Sequence, residues 1–272
     1  MTSSIGSTLR LMRHPMVWMA GIYLGLSVLF AFVVEHFLGV FTATQVGVIL
    51  FLLSPLAIGG VLGMLRYNDY SPILFLMQAK KHYFGIVIPA VISAIVIVIT
   101  IVLLTIPLSL IMGSIDPVTL SGLCIGVSIP VLLTTLFYAP VIVSEDATVT
   151  QSLLRSVTLV SYGTISALKF WIVTIALNFM VFFGTSMAFA MLAFEHLEKY
   201  ADLSVADQQA VYATFTADEW MAMLGDSVVY LVLFVSACAV VVSTFLLCYL
   251  FVCYTEAKKA VPSASILSEK ME

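Results

Sequence analysis

The chain has 272 residues, of which 62% are hydrophobic and 10% charged, and its formal net charge is −4. A soluble domain carries about 25% charged residues, so water is not the principal solvent here. Basic residues are few and dispersed, which gives nucleic-acid binding no support. Six spans of about 20 residues plus connections account for the length, and no soluble catalytic domain is expected beside them.

Apolar stretches at 16–34, 46–65, 84–112, 120–143, 165–194 and 227–254 predict six transmembrane helices in one membrane domain. Each is long enough to cross a hydrocarbon core of roughly 30 Å at 1.5 Å per residue. Lipid offers backbone polar groups no partner, so such runs must be helical. The expected fold class is therefore all-α, a polytopic bundle with a cytoplasmic amphipathic elbow. The first apolar stretch follows a weakly basic segment but has no good cleavage site, and reads as an anchor rather than a signal peptide.

Lys and Arg are retained on the cytoplasmic side. Arg10, Arg13, Arg66, Lys80, Lys81, Arg155, Lys169, Lys258, Lys259 and Lys270 fall on one side of an even-numbered topology, and Lys199 alone on the other. Both termini are expected in the cytoplasm, with a tail at 255–272 and an outer segment at 195–226. The expected location is the plasma membrane of a bacterium or archaeon.

Between the second and third spans, Ser71 and Pro72 have the pattern of an N-cap and first helical residue. The following 73–79 reads as a short interfacial helix ending in Lys80, Lys81 and His82. Gly59 and Gly63 in the second span have the spacing of a small-residue packing motif. Pro55, Pro89, Pro107, Pro130 and Pro140 fall in or at the ends of spans, as packing kinks or as openings of the backbone.

After the fourth span come Ser144, Glu145 and Asp146, then a helical segment from Thr148 to Tyr162. Thr148 and Gln151 have capping-box spacing, and Gly163 suits a C-terminal cap. Val149, Leu153, Val157 and Val160 share one face, predicted to pack beneath the bundle, while Gln151, Arg155 and Thr158 point elsewhere. Arg155 is nine or ten residues from Glu145 and Asp146, so pairing between them requires a turn.

Ala139, Pro140, Glu145, Asp146, Val149, Leu153, Arg155, Ser156 and Gly163 together resemble a pattern in prokaryotic six-span membrane families of uncharacterised function. These include the membrane domain attached to some glycerophosphoryl diester phosphodiesterases. Gln151 and Ser152 stand where that pattern has Glu-Ala. The resemblance implies a bacterial or archaeal membrane domain and no activity, because the chemistry of such fusions resides in a separate soluble barrel.

The outer segment is acidic. Ser204 with Asp207, and Thr216 with Glu219, have N-cap spacing. Trp220 is expected to face the membrane and to serve as a contact for a partner. Glu195, His196 and Glu198 could be metal ligands, but solvated residues at a span end explain them better, and no metal or cofactor is expected. Inside the spans, Asn178 is expected to make an interhelical hydrogen bond. Cys124, Cys238, Cys248 and Cys253 fit neither CxxC nor a zinc set and read as small apolar side chains.

No Walker loop, HExxH or GxSxG motif occurs, and no Asp, Glu, Lys or Arg falls near a span midpoint. The leading expectation is a non-catalytic membrane subunit or scaffold, not an enzyme. It would bind another membrane or membrane-associated protein through the elbow or the outer segment, with Glu145, Asp146, Arg155, Ser156, Asn178 and Trp220 as candidate contacts. The alternative is a transporter component working with a separate ATPase, and a third reading is an intramembrane enzyme.

Overall fold

A computed structural model describes residues 2–112, 116–194, 198, 204–216, 219 and 224–261. The longer helices are α1 (Thr2–Leu11), α2 (Met19–Leu38), α3 (Val40–Tyr67), α4 (Pro72–Met112) and α5 (Pro117–Thr134). They continue as α6 (Tyr138–Glu145), α7 (Val149–Tyr162), α8 (Thr164–Leu192), α9 (Val205–Ala213) and α10 (Val228–Ala260). No strand occurs among the described residues. Six stretches are long and apolar enough to cross a membrane: Pro15–Leu38, Val40–Tyr67, Pro72–Leu110, Val118–Glu145, Thr164–Leu192 and Gly225–Ala260. The chain is an all-α, multi-pass membrane protein.

The described contacts divide it into two compact units. One comprises Met1–Ala20, Leu50–Ile172 and Thr244–Glu272; the other comprises Gly21–Ile49 and Val173–Ser243. Each is described separately below.

Local rules explain most helix boundaries in the first unit. Pro72 opens α4, and the Ser71 Oγ accepts from the Leu74 N–H at 3.3 Å. Asn68, just past α3, and Asp146, just past α6, both take left-handed backbone (φ 51° and 53°). Asn and Asp tolerate that conformation better than other residues with side chains. Pro140 has no N–H to offer the carbonyl of Leu136, and its ring crowds the preceding turn. The chain accordingly breaks at 135–137, between α5 and α6. Pro55 similarly loosens α3, but the carbonyls nearby are used: Ser54 Oγ donates to Phe51 O at 2.7 Å and Tyr83 OH to Leu52 O at 3.0 Å.

The short interfacial helix expected at 73–79 is not a separate element. It forms the first turns of the 41-residue α4, which at 1.5 Å per residue is roughly 60 Å long, about twice a hydrocarbon core. What draws it onto α3 is the glycine pair and its neighbour. A Cβ on Gly60 would lie 2.5 Å from the Phe75 ring, and one on Gly63 would overlap the Gln78 side chain. Bare backbone at Gly59, Gly60 and Gly63 lets Phe75, Gln78, His82 and Ile86 approach closely, as small-residue motifs do between membrane helices.

In the second unit, Gly25 of α2 meets Val240 and the Ser236 carbonyl of α10 in the same way. The capping expectations hold there. Ser204 Oγ accepts from the Asp207 N–H at 3.3 Å, and Thr216 with Glu219 form a reciprocal pair (3.3 and 2.7 Å).

Candidate functional site

The first unit is organised around α6. Ala139, Pro140, Val141, Ile142 and Val143 are all buried, so this short helix is apolar nearly all round and enclosed by its neighbours. Gly85 of α4 leaves room for Ile142. Ser156 of α7 bridges the break before α6, donating to Thr134 O at 2.8 Å and accepting from the Phe137 N–H at 3.0 Å. Broken backbone inside a bundle must find such partners, because a buried unpaired amide costs about 1–3 kcal/mol.

The C-terminus of α6 concentrates negative charge. Its last carbonyls carry the negative end of the helix dipole, and Glu145 and Asp146 add two carboxylates at the same point. Four cationic side chains converge on them. Arg66 of α3 donates to Val143 O at 2.6 Å and pairs with Asp146 at 2.7 Å. Lys81 of α4 reaches the other oxygen of Asp146 at 2.6 Å. Glu145 receives Lys258 of α10 at 3.0 Å, the Tyr254 hydroxyl at 2.8 Å and the Arg155 Nε of α7 at 3.5 Å. His82 stands 3.8 Å from Asp146 and 3.0 Å from the buried Gln78 amide oxygen.

A second junction lies on α10. Glu256 accepts from Ser4 Oγ of α1 at 2.5 Å and pairs with Lys169 of α8 at 3.4 Å. Gly163, the cap of α7, donates its N–H to Leu159 O at 2.7 Å; a Cβ there would lie 2.5 Å from that of Ala257. Glycine at 163 thus serves close packing as well as helix termination.

The structure pairs Arg155 with Glu145, the neighbour of Asp146, across the turn that such pairing requires, and sets Ser156 at the break before α6; α7 is rotated from the expected orientation. Ser152, Arg155 and Ser156 are buried, while Leu154 is 63% and Val157 44% exposed. Of the apolar face predicted to pack inward, Val160 is buried, Val149 and Leu153 are half-buried, and Val157 is exposed. Arg155, expected to point away, is 7% exposed and faces Glu145. The physical reason lies in the partners: Arg155 is drawn to the Glu145 carboxylate and Ser156 to the open backbone at 134–137, and these contacts decide which face of α7 turns inward. The helix itself, its Thr148–Gln151 capping arrangement (Thr148 N–H to Gln151 Oε1, 3.2 Å) and its turn from Glu145 match expectation.

Asn178 belongs elsewhere. It is exposed, and its amide donates to Thr174 O of its own helix at 2.8 Å, in place of the expected interhelical bond. Trp220, Glu195 and His196 lie outside the described residues. The cysteines are free: Cys248 and Cys253 are buried, Cys124 and Cys238 partly so.

Arg66, Lys81, Lys258, Tyr254 and His82 are the site residues that sequence reasoning missed. Most had been used as markers of sidedness. Four cations, Arg66, Lys81, Arg155 and Lys258, assigned to the same face as two adjacent carboxylates were the signal that could have joined them.

Chemically, the arrangement holds charge in place. The hydrogen bond from Lys81, and then Arg66, keeps the Asp146 carboxyl below the ordinary carboxylate range, far from the near-neutral value suited to a general base. No group of His, Cys, Asp and Glu with metal-binding spacing occurs among the described residues. Comparison with family models, curated proteins and solved structures finds no match to the chain.

Proposed function

We propose that the chain is a non-catalytic subunit or scaffold of a prokaryotic plasma membrane, with both termini in the cytoplasm, that docks a partner protein on the face carrying 144–163. The observation that carries this reading is the convergence of α3, α4, α7 and α10 on Glu145 and Asp146. Ion pairs among the ends of several helices make a fixed platform, and α7 presents Leu154 and Val157 outward from it. The orientation is supported by the one-sided distribution of Lys and Arg, and the prokaryotic assignment by the resemblance of 138–163 described above. A transporter component served by an ATPase would use the same platform.

A photoreactive residue at Leu154 or Val157, activated in native membranes, should capture one defined protein, and Arg155→Glu should abolish the capture. An ATPase in that band would favour transport. Crosslinks to lipid alone would overturn the docking reading. Orientation is checked separately: in a background without native cysteines, Asp69→Cys should label from the cytoplasmic side and Asp207→Cys from outside. Hydrolytic turnover that survives purification and is lost in Glu145→Gln would overturn the non-enzymatic assignment.

A further inference from the structure

The second unit contains a groove of about 340 Å³ between α2 and α10, near the lower end of the ~300–1,000 Å³ range of small-molecule sites. Its walls include Phe32 and Val33 from α2 and Val229 and Val232 from α10, and its polar residues are His36 and Asp226. The polar pair is not scattered. His36 lies in the last turn of α2, and Asp226 lies in the short 3-10 turn that leads into α10. The lining runs from Leu29 to Phe37 on α2, roughly 12 Å at 1.5 Å per residue. The groove is therefore an apolar slot with a base and an acid at one end.

We infer that this groove holds a bilayer phospholipid with a zwitterionic, amine-bearing headgroup: an acyl chain along the slot, the phosphate at His36 and the ammonium at Asp226. Three observations converge on that occupant. Both walls belong to stretches that cross the membrane, so the medium against the slot is lipid. Val33 and Val229 are exposed beside it, which leaves the slot open along its side to an acyl chain. The polar end lies at the termini of two spans, the depth at which headgroups meet protein. The opposite character of the two polar groups then selects the headgroup. A phosphoglycerol lipid would satisfy His36 but set its only charge against Asp226, whereas an ethanolamine headgroup presents an ammonium to the carboxylate and a phosphate to the imidazole.

The test uses the full chain extracted in mild detergent, with native mass spectrometry of bound lipid. Phosphatidylethanolamine and phosphatidylglycerol of identical acyl chains are added in equal amounts. The wild type should bind phosphatidylethanolamine at least fivefold more than phosphatidylglycerol. Asp226→Asn should bring the two within twofold of each other by losing phosphatidylethanolamine. Val229→Trp, which fills the slot, should reduce both several-fold while melting as the wild type does without added lipid; Val33→Trp does the same from the opposite wall if the first variant fails to fold. Equal binding of the two lipids by the wild type would overturn the headgroup assignment. Undiminished binding in a folded tryptophan variant would overturn the groove.

Discussion

In the unit that contains α6, Phe137, Val141, Val143, Tyr249 and Tyr254 are fully buried, and charged residues from several helices interlock around Glu145 and Asp146. The other unit buries far less among its described residues: Gly21, Gly25, Val34, Ala193, Leu224 and Ser236, while Phe37, Phe41, Phe179 and Phe182 are exposed. Helices α3, α8 and α10 each run through both, so the apolar character of a helix is not by itself what separates them. The contrast lies in polar groups. Lipid surrounds apolar side chains as readily as protein does, so a membrane helix gains specific neighbours chiefly where backbone is broken, glycine permits contact, or charges must meet. The first unit has all three.

If that contrast is correct, the largest loss should follow from disturbing the buried charge. Arg155→Glu places a second carboxylate against Glu145 and should destabilise the protein in mixed-micelle denaturation by about 3–5 kcal/mol, the usual cost of breaking a buried pair. Lys80→Glu, at an exposed neighbouring position, should cost under about 1 kcal/mol. Replacing Arg155 and Glu145 together by methionine should recover part of the loss, because the penalty lies mainly in the stranded charge. Equal effects of the two single variants would show that the charges gathered at Glu145 are not what holds the first unit together.

Next in size is the break in the helix. Ser156→Ala deletes the hydroxyl that serves both the Thr134 carbonyl and the Phe137 N–H. The expected loss is about 1–3 kcal/mol, with faster amide exchange at Phe137 than at its helical neighbours. Unchanged exchange there would mean that the break is held by packing alone.

How far these features were legible follows the same physics. Span positions were readable because hydropathy measures preference for lipid directly. Capping at Ser71, Thr148, Ser204 and Thr216 was readable because it is decided within four residues. The rotation of α7 was not, since it is set by the partners of Arg155 and Ser156, and a carboxylate beyond the turn and a break in the preceding helix leave no trace in the apolar stripe. Nor was the continuity of α4, because only contact with Gly60 and Gly63 distinguishes a packed helix from one lying on the surface. Glu145, Asp146, Arg155 and Ser156 could be singled out near one turn, whereas Arg66, Lys81 and Lys258 join them from distant sequence.

Acidification should sharpen the comparison more gently. The Asp146 carboxyl titrates below its ordinary value because Lys81 and Arg66 bind its anion. A group with a depressed folded pKa contributes stability above its unfolded value, about 3.9 for Asp, and that contribution disappears as pH falls through the folded value. Asp146 is 40% exposed, so solvent screening limits the effect to under about 1 kcal/mol. Asp146→Asn should flatten the stability profile below about pH 4 while lowering stability slightly at pH 7. A profile in the variant as steep as the wild type's would show that Asp146 is not the group behind the acid limb.

The smallest effect is expected from the residue that the sequence marked as polar glue in the other unit. Asn178 lies in a span, where an amide that bonded a neighbouring helix would contribute about 0.6–2 kcal/mol. Its amide instead donates to Thr174 O one turn earlier, and the residue is exposed. That carbonyl retains its place in the backbone ladder of α8 when the side chain is changed, and a leucine at this position would meet the same lipid as Phe179 and Met180 beside it. Asn178→Leu should therefore shift stability by no more than about 0.5 kcal/mol, and removal of an amide from lipid could make the shift favourable. Asn178→Asp distinguishes this from mere tolerance: a carboxylate cannot donate to Thr174 O and should be costly wherever lipid surrounds it. A loss above 1 kcal/mol in Asn178→Leu would show that the amide reaches a partner outside its own helix, and the second unit would then be held by polar contacts as the first one is.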